Sequence, residues 1–249
     1  MIDPRNYVAP ENLLQGRNIL VTGAGDGIGR SAALAYAAHG ATVWLLGRTE
    51  SKLEAVYDDI EAAGGPQPAI LPVDLATLTE QQCATLAQTL AENLGQLDGL
   101  LHNASILGER RPIESASYEA WCDVMQVNVN AQFLLTKALL PLLAAAPSSS
   151  IVFTSSGVGR QGRAYWGAYA VSKFATEGFM QVLADELENT SKVRVNSLNP
   201  GGTNTAMRRS AYPAETPTDN PSPEQIMPAY LYLMGDDSRG ITGQAFNAQ

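Results

Sequence analysis

The chain has 249 residues, 45% of them hydrophobic, with 16 Lys and Arg against 25 Asp and Glu for a formal net charge of −9. That acidic balance, with no basic cluster to override it, argues against a nucleic-acid or anionic-membrane surface. The length suits one large α/β domain. The opening Met1-Ile2-Asp3-Pro4-Arg5-Asn6 lacks the apolar stretch of a signal peptide. No run of ~18 apolar residues is expected to span a bilayer, so the cytoplasm is the expected location.

Apolar strand-like runs then alternate with helical stretches along the chain. Asn18 to Thr22 is short and continuously apolar up to its threonine, as a parallel strand buried on both faces requires. Ala41 to Leu46, Ala69 to Val73, Leu97 to His102, Ile151 to Thr154, Val193 to Leu198 and Ala245 to Asn247 read the same way. Helices are expected near residues 28–39, 50–63, 79–94, 117–145, 168–189 and 223–234. Strict alternation predicts one doubly wound, Rossmann-type α/β domain over 1–249, with a seven-stranded parallel sheet and helices on both faces. Residues 206–223 carry Pro213, Pro217, Pro221 and Pro223 among Ser, Thr and Asp. The segment near 203–223 is either a flexible lid over the carboxyl edge of the sheet or a plain surface loop. Cys83 and Cys122 lack metal-type spacing and are expected as buried small side chains.

Directly after the first strand stands Thr22-Gly23-Ala24-Gly25-Asp26-Gly27-Ile28-Gly29. Gly23, Gly27 and Gly29 permit a tight turn, close backbone approach to a pyrophosphate and close helix–strand packing. The following helix start offers free N–H groups to the phosphates. Gly25, Asp26 and Ile28 complete this dinucleotide loop. After the second strand the chain reads Leu46-Gly47-Arg48-Thr49, with glycine where an acidic residue would bind the adenosine ribose of NAD. Arg48 can instead pair with a 2′-phosphate, which favours NADP over NAD. Its competing role is a solvated surface arginine, and Asp26 does not help NADP. Asp74 and Leu75, after the third strand, are placed to touch adenine, with helix capping as the other role for Asp74.

Tyr169 and Lys173 stand four residues apart on a predicted helix, which sets phenol and ammonium side by side. A phenol with a pKa near ~10 is a poor acid or base at neutral pH, and a neighbouring cation is expected to lower it.

The ordered set Thr-Gly-x-x-x-Gly-Ile-Gly, Asn103-Ala104, Asn128, Ser156, Tyr169-x-x-x-Lys173 and Pro200-Gly201 closely resembles the short-chain dehydrogenase/reductase family, over nearly the whole chain. The phrases at Asp123 to Asn130 and Thr154 to Arg163 are similar to a subgroup of YciK-like bacterial oxidoreductases. The resemblance implies that Ser156 binds the substrate oxygen, with Ser155 as the register alternative. It makes Tyr169 the general acid in reduction and the base in oxidation, and Lys173 a ligand of the nicotinamide ribose. It gives Asn128 the role of holding a water between lysine and solvent; another hydrogen-bond partner would give it a structural role instead. Asn103 and Ala104 would lie beside the cofactor, although Ser105 stands where the family has glycine. Pro200, Gly201 and the Thr203 backbone would hold the nicotinamide end, with the Thr205 hydroxyl on the carboxamide. His102 is expected to pack and hydrogen-bond, and His39 to cap a helix end.

The implied activity is hydride transfer between nicotinamide and a small-molecule carbonyl or secondary alcohol. Alternatives are a non-catalytic dinucleotide sensor or scaffold, and an epimerase or dehydratase on the same fold. Arg160, Arg163, Tyr165, Trp166, Arg208 and Arg209 border the expected pocket. They suggest a polar or anionic substrate, or else fix loops by internal hydrogen bonds. The long helices near 117–145 and 168–189 resemble those that pair subunits, so a homodimer or homotetramer is expected.

Overall fold

Seven short apolar runs each become a strand: Asn18–Thr22 (β1), Thr42–Gly47 (β2), Ala69–Pro72 (β3), Gly99–His102 (β4), Ser149–Thr154 (β5), Val193–Asn199 (β6) and Ala245–Asn247 (β7). The structure is a computed structural model and describes residues 3–249. Among these residues the strands form one sheet in the order β3-β2-β1-β4-β5-β6-β7, every pair parallel. The order reverses at β1, which lies between β2 and β4. A parallel sheet opens a crevice at the carboxyl ends of its strands at such a reversal.

The period of two along β1 decides which side chain meets which layer. Ile19 and Val21 enter one core with Gly27–Ala38 (α1), Glu50–Ala62 (α2) and Met227–Met234 (α8). Leu20 enters the other, against Glu80–Leu94 (α3), Ala131–Ala145 (α5) and Gly167–Leu187 (α6). Tyr118–Met125 (α4) leads toward α5, and Ala206–Ala211 (α7) lies beyond β6. Burial on both sheet faces explains why β4 up to His102, and β5, read as apolar or small-residue runs. In β6 the buried Arg194 and Asn196 donate hydrogen bonds to the Leu233, Gly235 and Ile241 carbonyls.

Four expectations need correction. The helix expected over 117–145 contains a wide π turn at Gln126–Asn130 between α4 and α5. By length and composition the continuous span Tyr118–Ala145 would cross a membrane, contrary to the sequence reading, yet half of its most apolar window is packed inside the protein. Val127, Ala131, Leu135, Leu139 and Leu143 of that span belong to the core beneath the sheet. Cys122 is exposed, and only Cys83 is buried; both are free thiols. The proline-rich stretch is not structureless: it carries α7, a 3-10 turn at Pro217–Asp219 and another at Pro223–Ile226. Thr205 caps α7 by accepting the Arg208 N–H, and Gln225 Oε1 accepts the Ser222 N–H at the last turn, so local capping orders a segment whose prolines argue against long helices.

Candidate active site

A cavity of about 640 Å³ opens at the carboxyl ends of β1, β2, β4, β5 and β6. Every site residue expected from the sequence lines it except Asn128. Its first wall is the glycine turn, where Gly23 and Gly27 take φ of +69° and +51°. A Cβ on Gly29 would stand 2.5 Å from Asn103 Nδ2 and closer still to the Gly23 carbonyl oxygen. The turn therefore tolerates no side chain at that point. Asn103 holds it from the other side: its N–H donates to Thr22 Oγ1 at 2.9 Å, and its amide nitrogen to the Thr22 carbonyl at 3.3 Å. Ser105 has an ordinary negative φ, so the glycine usual in the family is not needed there. A backbone cradle at a helix N-terminus fits a pyrophosphate.

At the adenosine end Asp26 caps α1, accepting the Gly27 N–H at 2.7 Å. Lys52 donates to the same carboxylate at 2.5 Å and holds its pKa below the usual value. The negative charge that counted against NADP is thus paired. Arg48 lines the same wall, exposed, with no ion pair among the described residues. Lys52 went unnoticed in the sequence, although its place one turn beyond Arg48 at the start of α2 was a usable signal. Asp74 closes a turn, accepting the Ala76 N–H at 3.0 Å, while Thr79 caps α3.

The catalytic wall begins at a strained corner. Tyr165 has φ of +71°, the one non-glycine value of that sign among the described residues, and Gly167 follows at +31°. From there α6 carries Tyr169 and Lys173 into the cavity. Burial pushes the Tyr169 phenol up to about 12, with the Ser156 hydroxyl acting in the opposite direction. Burial draws the Lys173 ammonium down to about 8, and the Glu177 charge opposes that fall. Lys173 Nζ donates to the Thr154 carbonyl at 2.8 Å. The expectation that lysine lowers the tyrosine pKa is not met in this arrangement, because desolvation dominates and the ammonium is turned to the strand end. A protonated, buried phenol is set up to donate.

The two serines separate cleanly. Ser155 is buried and its hydroxyl donates to Glu177 Oε1 at 2.5 Å, whereas Ser156 stands beside the phenol. Asn128 is committed elsewhere: Oδ1 accepts from the Ile106 N–H at 2.8 Å, and Nδ2 donates to the Ile106 carbonyl and to Ser172 Oγ, each at 3.0 Å. Its side chain braces the loop after β4 against α6.

On the third wall Thr203 is buried, and Oγ1 donates to the Pro200 carbonyl at 3.2 Å. Gln249 Nε2 donates to the carbonyls of Pro200 and Gly202 at 2.6 and 3.0 Å, clamping this loop. The Thr205 hydroxyl caps α7 by accepting the Arg208 N–H at 3.1 Å, which leaves its proton available. Beyond Ser156 and Tyr169 the wall is apolar, with Ile106, Leu107, Trp166, Met207 and Ala211.

The arginines expected at the pocket do not offer free charge to this end, whereas Arg110, exposed and in no ion pair among the described residues, stacks over Trp166 at 4.6 Å and Tyr212 at 5.0 Å. Arg208 makes a two-pronged pair with Glu215, both bonds 2.6 Å, and stacks over Tyr212. Arg209 donates to Asn204 at 2.9 Å. Arg160 is spent on Glu177, Asn247 and the Phe246 carbonyl. Arg163 and Tyr165 are exposed and do not line the cavity. His102 is buried, bonded to Thr136 Oγ1 at 2.8 Å and stacked on Phe153. His39 Nδ1 contacts the Ala35 carbonyl at 2.7 Å at the end of α1.

The family model for short chain dehydrogenases matches residues 17–216. The uncharacterized oxidoreductase YciK of Escherichia coli K12 is 58% identical over 244 residues, 98% of this chain and 96% of that protein. A solved structure from Pseudomonas syringae, assigned as a short chain dehydrogenase, is 61% identical. It superposes with a TM-score of 0.97, covering 98% of this chain and 99% of that one. Another, from Escherichia coli CFT073 and complexed with NADPH, is 58% identical with a TM-score of 0.94, covering 96% and 99%. With the parallel sheet, the glycine cradle and the Tyr169–Lys173 helix, these likenesses show that the chain belongs to the short-chain dehydrogenase family of oxidoreductases.

Proposed function

We propose that the chain is an NADP(H)-dependent oxidoreductase that interconverts a small-molecule carbonyl and a secondary alcohol. The observation that carries this reading is the convergence of Ser156, Tyr169 and Lys173 on one wall of a cavity whose far end is a glycine cradle. Gly23, Gly25, Gly27 and Ile28 would hold the pyrophosphate, with Asp74, Leu75 and Ala104 along the adenosine half. Arg48 and Lys52 would grip a 2′-phosphate, and the NADPH complex of the E. coli CFT073 protein supports that choice. Pro200, Gly201, Thr203 and Thr205 would orient the nicotinamide end.

When bound, the nicotinamide supplies or accepts the hydride at the reacting carbon. The chain's own groups manage the oxygen. Ser156 donates a hydrogen bond to it as negative charge develops. Tyr169 delivers the phenolic proton in reduction and takes it back in oxidation. The Lys173 ammonium offsets charge on the phenolate so formed. Arg208 is neutralised and most of the wall beyond the serine is apolar, which supports uncharged carbonyl compounds, while Arg110 over Trp166 is a cation at its rim, unpaired among the described residues. Residues 203–223 would act as the lid over it. Phe133 on α5 and Val171, Phe174 and Val182 on α6 are exposed, which supports pairing of these helices with a second copy.

The test is NADPH oxidation against a panel of aldehydes and of alicyclic and aryl ketones, with NADH in parallel. Turnover with NADPH in preference to NADH is expected. Absence of turnover across the panel in both directions would end the enzyme reading.

A further inference from the structure

Glu177 is a buried carboxylate that the reaction scheme above does not use. It stands one turn beyond Lys173 and two beyond Tyr169 on α6, so it shares their face of the helix. All its polar contacts run to the catalytic framework. Oε1 accepts from Ser155 Oγ at 2.5 Å and from Arg160 Nε at 3.0 Å; Oε2 accepts from Ser197 Oγ at 2.6 Å. These three partners come from the end of β5, the turn after it, and β6. Ser155 sits between the two groups that matter most: Thr154, whose carbonyl receives the Lys173 ammonium, and Ser156, whose hydroxyl faces the phenol. Gly159 closes the same contact, since a Cβ there would come within 2.8 Å of the Lys173 carbonyl oxygen.

We propose that Glu177 is a positioning residue of the active site. Its carboxylate fixes the Thr154–Ser156 segment against α6, and its charge keeps Lys173 an ammonium. This rests on the oxidoreductase reading for its consequence and on the contacts above for its geometry. A buried lysine loses its proton readily unless an anion stands close. The charged and titratable groups around Lys173 are few. Glu177 and Tyr169 lie on its own helix, and Arg160 approaches from the turn after β5. From α8 comes Tyr230, whose hydroxyl meets Thr154 Oγ1 at 3.2 Å and whose pKa is raised by burial, leaving it neutral. Glu177 is the one anion in that set, and Arg160 partly cancels it.

The test reads Lys173 directly. The chain has four lysines, so ¹³C labelling at Cε gives a resolvable NMR titration, with Lys173→Arg assigning the signal. In Glu177→Gln the Lys173 midpoint should fall, because the charge that opposes desolvation is lost. In Arg160→Gln it should rise, because the carboxylate then acts uncancelled. Where turnover is measured, the alkaline fall of kcat for reduction should move the same way in each variant, and Glu177→Asp should keep the wild-type limb. A purely structural role predicts no shift of either sign. Unmoved midpoints in both variants would overturn the proposal, and the Arg160→Gln arm still decides it if Glu177→Gln does not fold. Shifted midpoints in a protein without turnover would support Glu177's role while the oxidoreductase reading fell.

Discussion

Lys173 Nζ donates to the Thr154 carbonyl at 2.8 Å, while the ring of Tyr169 lies 5.6 Å from the same nitrogen. The ammonium thus belongs first to the strand end and only second to the phenol. With burial holding Lys173 down to about 8, carbonyl reduction should decline as pH rises through that value, because the charge that offsets the phenolate is lost. The folding term has the opposite sense. An unfolded lysine titrates near ~10.4, so between about 8 and there the unfolded chain binds more protons and stability from this group rises with pH. A pH–rate profile for NADPH-driven reduction beside pH-dependent denaturation would show activity falling while this stability contribution grows.

Tyr169→Phe removes the proton and little else, since the ring also packs against Trp166 at 5.7 Å between centroids. Turnover should fall by roughly 10²- to 10⁴-fold, the usual worth of a positioned acid, with dinucleotide affinity unchanged. Steady-state rates and a fluorescence titration of NADPH check the two halves separately.

Arg48→Asp places a carboxylate where the 2′-phosphate is expected. A charge-assisted hydrogen bond is worth about 1.5–3 kcal/mol, so NADPH affinity should drop by at least about tenfold while NADH affinity holds or improves. Calorimetric titration with both dinucleotides decides it. Equal losses for the two would reassign Arg48 to the surface.

His102 is held neutral: burial draws it down to about 3 from 6.5. The unfolded chain takes up a proton there first, so stability should be lost as pH falls from 6.5 towards 3. At pH 4.5 the loss from this residue is about 2–3 kcal/mol. Urea unfolding at pH 7 and 4.5 should show His102→Asn with a smaller difference between the two pH values than the wild type.

Gly29→Ala drives a methyl into the Gly23 carbonyl and the Asn103 amide. The Gly23 carbonyl is backbone and cannot swing aside as a side chain could, so the turn itself must open. Loss of NADPH binding and a fall in Tm are expected together. Retained affinity would show that the cradle yields.

The sheet was legible because parallel strands buried on both faces leave continuous apolar runs, and all seven fell within two residues of their observed limits. The glycine turn and the Tyr169–Lys173 pair were legible because local backbone geometry fixes their spacing. The π turn at Gln126–Asn130 left no such mark, since its residues suit an ordinary helix and the widening answers to packing of Asn128 against Ile106 and Ser172. Glu177 and Lys52 escaped for a related reason: their partners lie far along the chain or across an element. Helix α7 was hidden by surrounding prolines, although the Thr205 cap was in plain view.

The contacts of residues 246–249 set an order of events. Arg160 rests on Phe246 and Asn247, and Gln249 clamps the Pro200–Gly202 turn. During vectorial synthesis the nucleotide-gripping half, through β4, can assemble early, since chains fold from the N-terminal side as they emerge. The half that performs the chemistry waits for its closing strand. A nascent chain would therefore hold a cradle before it holds a working acid.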